Sequence, residues 1–126
     1  MPLKVTVEEK GDGTCTIRPV GSIDADTHHI LGSQVDPILA KSPQLIIFDM
    51  KDVHYVSSAG IGVVLFTEKS IKAAGGKVLL VNLQPQIKKV FDIVQALPSQ
   101  QIFSSVAELD RYLSVIQRRV KDKEIE

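Results

Sequence analysis

Apolar and polar side chains alternate at the start of the chain, with Leu3, Val5 and Val7 set against Lys4, Thr6 and Glu8. A period of two marks a strand with one buried face. Lys10, Gly11, Asp12 and Gly13 form a turn, so residues 14–20 are predicted to return as the second arm of a hairpin. Pro19 brings no donor to a ladder and places an edge or an irregularity in that arm. Cys15 reads as a small apolar filler. After a break at 21–24, residues 25–40 repeat at helical spacing, with Leu31, Val35, Ile38 and Leu39 as the apolar stripe. Pro37 is expected to kink or restart this helix, with Asp36 as a local cap.

Residues 45–48 are a continuous apolar run, which fits a central strand covered on both faces and ending near Met50. A short polar connection leads to a helix that begins at Ser57 and Ser58 and stays apolar through Ile61, Val63, Val64, Leu65 and Phe66. Gly60 and Gly62 are poor helix formers. Their expected use is close backbone approach, within the fold or to a partner. Lys69 and Lys72 suit the C-terminal end of this helix, and Gly75 and Gly76 stop it. Residues 78–81 repeat the buried-strand pattern as a second inner strand. Pro85 opens a helix with one clean face, Ile87, Val90, Phe91, Val94 and Leu97, and Pro98 ends it. Ile102 and Phe103 suggest a short last strand. Ser105 and Glu108 frame a capping box, and Leu109, Tyr112, Leu113 and Ile116 form the inward face of a final helix. The mixed charges of 118–126 predict a fraying tail. The order of elements gives an α/β fold: an N-terminal hairpin, then alternating strand–helix units, in one mixed β-sheet with helices packed against it. Residues 1–117 are expected to be a single domain and 118–126 its charged C-terminal tail.

Composition narrows the function more than the fold. The 126 residues are 44% apolar, close to the globular norm, and long enough for one real core. Fifteen basic and fifteen acidic residues cancel, which argues against binding nucleic acid through a general basic field. One cysteine allows no internal disulfide and suits a reducing cytosol. There is no leader pattern, and no apolar run approaches the roughly 18 residues of a membrane span. The expectation is a soluble, cytoplasmic protein without membrane insertion.

Catalytic signatures are weak. Around Ser58 the first glycine of a Gly-x-Ser-x-Gly elbow is missing. No Walker A loop exists, and Leu65 stands where a dinucleotide fingerprint after Gly60 and Gly62 needs its third glycine. His28 and His29 are adjacent, about 100° apart on a helix, so they cannot share a metal as an i, i+4 pair does. His54 is the only other histidine. No enzyme activity, cofactor or metal is expected.

The serine pair is the remaining candidate. A serine at a helix start accepts a hydrogen bond from an unpaired first-turn N–H. The same place favours a phosphate, through free N–H groups and the helix dipole. Both readings stand, as does the capping of the preceding helix by Asp24 or Asp26.

Residues 49–66, DMKDVHYVSSAGIGVVLF, resemble the signature of STAS-domain proteins, in particular the bacterial anti-sigma factor antagonists. In that family a strand ending in Asp-Leu or similar is followed by a hydrophobic step, and Asp-Ser-Ser/Ala-Gly-Leu/Ile-Gly then opens a helix. Asp49 and Met50 match the strand end, and Val53, Tyr55 and Val56 the hydrophobic step. Ser58, Ala59, Gly60, Ile61 and Gly62 match the helix opening. Ser57 departs from the usual aspartate, keeping hydrogen bonding but losing the charge. The likeness runs from about Leu3 to Val115 and implies a STAS-like fold. It further implies a phosphorylation site at Ser58, with Ser57 as the alternative. The implied partner surface is Asp24, Ser57, Ser58, Ala59, Gly60, Ile61 and Gly62. The implied partners are an anti-sigma factor that is itself a serine protein kinase, and a serine phosphatase. In the family the unphosphorylated domain binds the anti-sigma factor, freeing a sigma factor for transcription, and phosphorylation releases it. STAS domains also serve as soluble subunits or scaffolds of transporter complexes and stress-sensing assemblies, which is the alternative role.

Overall fold

The structure, a computed structural model, describes residues 3–96 and 105–123. The elements are β1 (Lys4–Glu9), β2 (Thr14–Ile23), α1 (His28–Leu39), β3 (Leu45–Asp49), β4 (Val53–Val56), α2 (Ser58–Ala73), β5 (Lys77–Val81), α3 (Pro85–Ala96) and α4 (Val106–Lys121). The alternation in β1 pairs it antiparallel with β2, from Lys4 opposite Val20 to Glu9 opposite Cys15. Asp12 shapes the hairpin turn by accepting from the Thr14 N–H at 3.0 Å. β3 lies parallel between β2 and β5. Ile46 and Phe48 are fully buried there, while Leu45 and Ile47 are half-buried, so one face is sealed more completely than the other. Ile17, Leu31, Met50, Ile71, Ile87 and Leu113 join them in one core.

Several elements differ from the sequence expectation. The connection after Met50 contains a strand, β4, which lies parallel to the far end of β2 with Ile23 opposite Val56. β2 is paired with β3 over residues 14–17 and with β4 from Gly21 on, with a register irregularity between Gly21 and Ser22. Pro19, buried and without an N–H, sits in the stretch where neither parallel partner reaches. The run 78–81 is not sealed as a buried strand, since Leu79 is 42% exposed. Among the described residues β5 pairs only with β3. The expected strand at Ile102 and Phe103 lies outside the described residues, as does Leu97.

α1 starts at His28 rather than Ala25, and it runs past Pro37 to Leu39 with Leu31, Val35 and Ile38 buried. Residues 24–27 are a turn built on Asp24. α2 ends as expected at Gly75 and Gly76. Gly75 takes a positive φ of 89°, and the Gly76 N–H returns to the Ile71 carbonyl at 2.8 Å. Ser105 caps α4, accepting from the Glu108 N–H at 3.1 Å.

The inward face of α4 is Leu113, Gln117 and Val120, at i, i+4 and i+7, with Leu109 and Ile116 flanking the core. Tyr112 is exposed instead. The helix therefore does not fray at Arg118. It continues to Lys121 because Val120 is buried, and Arg118, Arg119 and Lys121 complement the helix dipole in the last turn.

Candidate functional site

β4 sets the position of the serine pair. Its parallel pairing with β2 carries one step past Val56, where the Ser57 N–H donates to the Ile23 carbonyl at 2.9 Å. Ser57 is extended (φ −90°, ψ 176°) and is the N-cap of α2, its Oγ accepting from the Gly60 N–H at 3.4 Å. Ser57 is only 4% exposed. Its hydroxyl is thus committed to the fold, and the capping role belongs to Ser57. Ser58, the first residue of α2, is half-buried and reaches solvent.

Gly60 answers the question of close approach. A Cβ there would lie 2.6 Å from the Ile23 carbonyl oxygen and 2.8 Å from Ile23 Cγ2. The N-terminal turn of α2 sits directly on the end of β2, which only a residue without a side chain permits. Gly62 is different: it is exposed, and a Cβ there would meet nothing within 4 Å. Ile61 is buried in the core. Ser57, Gly60 and Ile61 are buried, and Ser58, Ala59 and Gly62 are the accessible part of the motif.

Asp24 follows the residue of β2 that faces Val56, so it lies at the same strand end as Ser57. Its Oδ1 accepts from the Asp26 N–H at 2.9 Å and the Thr27 N–H at 3.1 Å. The Thr27 hydroxyl donates to the Ser22 carbonyl at 2.7 Å and accepts from the Asp24 N–H at 2.9 Å. Asp24 organises the turn into α1, and Asp26, exposed, supplies only its backbone. Asp49, matched to the strand-end position, binds Asn82 Nδ2 at 3.1 Å and the Lys51 N–H at 3.3 Å. The Asn82 amide beside it holds its carboxyl below the usual carboxylate range.

Sequence reasoning missed the contribution of α4. Three of its side chains on one face close over residues 55–58. Asp110 Oδ1 accepts from the Ser58 N–H at 2.7 Å. Ser114 shares a hydrogen bond with the Tyr55 hydroxyl. Gln117 clasps Val56 from both sides, its Oε1 accepting from the Val56 N–H at 2.9 Å and its Nε2 donating to the Val56 carbonyl at 2.8 Å. The amide of Gln117 thus acts as one more rung of sheet beside β4. A glutamine four residues after Leu113 on a buried stripe is the one hint of this in the sequence.

His28 and His29 stack edge to face at 6.2 Å, and His54 Nε2 lies 3.0 Å from Ser22 Oγ. Among the described residues no group of three or more His, Cys, Asp and Glu side chains is placed to hold a metal ion. No helix among them is long and apolar enough to cross a membrane. The chemistry available at the site is therefore that of one accessible hydroxyl at a helix start, beside an acidic side chain and a small-residue helix face.

The family model of the STAS domain matches residues 5–109. The anti-sigma-B factor antagonist of Bacillus subtilis is 31% identical over 93 residues, spanning 74% of this chain and 84% of the relative. BtrV of Bordetella bronchiseptica is 33% identical over 95 residues, spanning 72% and 78%. The solved structure of the anti-sigma factor antagonist SpoIIAA in its unphosphorylated form superposes with a TM-score of 0.62 at 23% identity, covering 86% of this chain and 97% of that one, which speaks to the fold.

Proposed function

The chain belongs to the STAS domain family, and from that premise we propose that it is an anti-sigma factor antagonist switched by phosphorylation of Ser58. Unphosphorylated, it binds an anti-sigma factor of the serine-kinase type and so releases a sigma factor. The observation that carries this reading is the division of labour in the serine pair. Ser57 is buried in the cap, and Ser58 reaches solvent one residue later, beside exposed Gly62 on the same helix face. The names of the relatives support the antagonist role.

In the switch, Ser58 Oγ attacks the γ-phosphorus of ATP held by the kinase with Mg²⁺. The bond to ADP breaks, and the hydroxyl proton passes to a base on the kinase. The phosphate brings a charge of about −1.5 to −2 to the partner surface. A serine phosphatase restores the hydroxyl. The protein itself is the substrate of these steps and not their catalyst.

Incubation with its cognate anti-sigma kinase, ATP and Mg²⁺, followed by mass spectrometry, is expected to find one phosphate, on Ser58. Ser58→Ala is expected to stay unmodified, and Ser57→Ala to be modified still while losing about 1 kcal/mol of stability with its cap. Phosphate that persists in Ser58→Ala, or none on the wild type with a kinase shown to be active, contradicts the proposal.

Gly62 gives a second test. Gly62→Val enters open space, so stability is expected to change by no more than about 0.5 kcal/mol. In the complex the added side chain meets the partner, and affinity is expected to fall at least about tenfold, roughly 1.4 kcal/mol. Calorimetric titration checks the second half and thermal melting the first. Unchanged affinity would place the partner elsewhere, as a transporter-subunit role also would.

A further inference from the structure

We propose that Asp110 is the positioning residue through which α4 reads the charge on Ser58, so that phosphorylation loosens the docking of α4 on β4 and α2. This rests on the reading of Ser58 as the phosphorylated residue. The Ser58 N–H is a first-turn donor of the kind that favours an anion at a helix start. In this protein that donor is already taken, by Asp110 Oδ1 at 2.7 Å, from a helix 52 residues further along the chain. The contact also supplies, from α4, a carboxylate beside Ser58, where Ser57 has none of the charge that an aspartate would bring.

Geometry makes the conflict unavoidable. Whatever rotamer Ser58 adopts, a phosphorus on its Oγ stays within about 5 Å of the backbone nitrogen. The phosphate and the Asp110 carboxylate then lie within a Debye length of each other, roughly 8 Å at physiological salt, and compete for the same N–H. At a partly exposed site, screening leaves a repulsion that corresponds to roughly a tenfold to hundredfold change in an equilibrium. The element able to give way is α4. Asp110 is the first of the three side chains on one face, with Ser114 and Gln117, that hold α4 to residues 55–58. Asp110 is the one of the three that lies in the N-terminal turns of α4, where Leu109 and Leu113 pack against the core. A charge at Ser58 therefore acts in two directions: outward on the partner, and inward on the helix beside the partner surface.

The test installs phosphoserine at position 58 during translation, so it requires neither kinase nor partner. Backbone hydrogen exchange over residues 106–113 is compared for the wild type and Asp110→Asn, each with and without the phosphate. Asparagine keeps an acceptor oxygen for the Ser58 N–H and removes only the charge. In the wild type, the phosphate is expected to speed exchange about tenfold or more, and in Asp110→Asn less than about threefold. The phosphate-induced change in melting temperature is expected to follow the same order. It is read as a difference within each protein, so any structural cost of the substitution cancels. Asp110→Ser is a second neutral variant with the same expectation. An equal phosphate effect in wild type and both variants, or unchanged or slower exchange in the phosphorylated wild type, overturns the proposal. Either result leaves the kinase mapping of Ser58 standing, and failure of that mapping leaves this cycle interpretable.

Discussion

Gly60→Ala is expected to destabilise the protein by about 2–3 kcal/mol, whereas Gly62→Ala, two residues on, stabilises it by about 0.5–1 kcal/mol. Both replace glycine in the same helix, so the gain in helix propensity is the same. The difference lies in what the methyl group meets. At Gly60 it lands 2.6 Å from the Ile23 carbonyl oxygen, which is the acceptor of the Ser57 N–H. Neither backbone can retreat without opening the junction of β2, β4 and α2. At Gly62 it meets nothing within 4 Å. Urea unfolding of the two variants checks the pair. Equal signs would mean that the end of β2 does not press on α2 as the structure shows.

Gln117→Leu is the other large effect, an expected loss of about 2–5 kcal/mol. Leucine has nearly the same size and suits a buried stripe, so an account based on hydrophobicity alone predicts a gain. But Gln117 is 3% exposed and satisfies both the N–H and the carbonyl of Val56. Each buried polar group left without a partner costs about 1–3 kcal/mol. Two are orphaned here, against a total stability on the order of 5–15 kcal/mol for a domain of this kind. Thermal melting reads the loss. Ser58 should also be mispositioned, since Val56 is the end of the strand that leads to it. A Gln117→Leu protein as stable as the wild type would contradict the role of the amide.

What the sequence made legible was the set of elements with a strong local period: the alternation of β1, the apolar run of β3, the clean face of α3 and the caps of α2 and α4. The serine pair was legible through its place at a helix start. β4 was not, because Val53, His54, Tyr55 and Val56 are too few to show a period, and their partner is the end of β2 about 32 residues earlier. The exposure of Leu79 in β5 was hidden for a related reason. A run of Val and Leu reads as buried whether one face or two are covered, and only the packed structure shows that Leu79 is open. On α4, a polarity scale ranks Tyr112 inside and Gln117 outside, and the opposite is found, because the amide is wanted by Val56 and not by the solvent. Asp110 had no signal at all. It meets Ser58 only when two helices far apart in the chain converge.

The switch itself is tested most directly by one titration, in which the unphosphorylated protein and the protein carrying phosphoserine at position 58 are each titrated against the cognate anti-sigma factor. The unphosphorylated form is expected to bind, and the phosphorylated form to bind at least about a hundredfold more weakly, a difference of roughly 2.7 kcal/mol. Equal affinity of the two forms, or binding by neither, would contradict it.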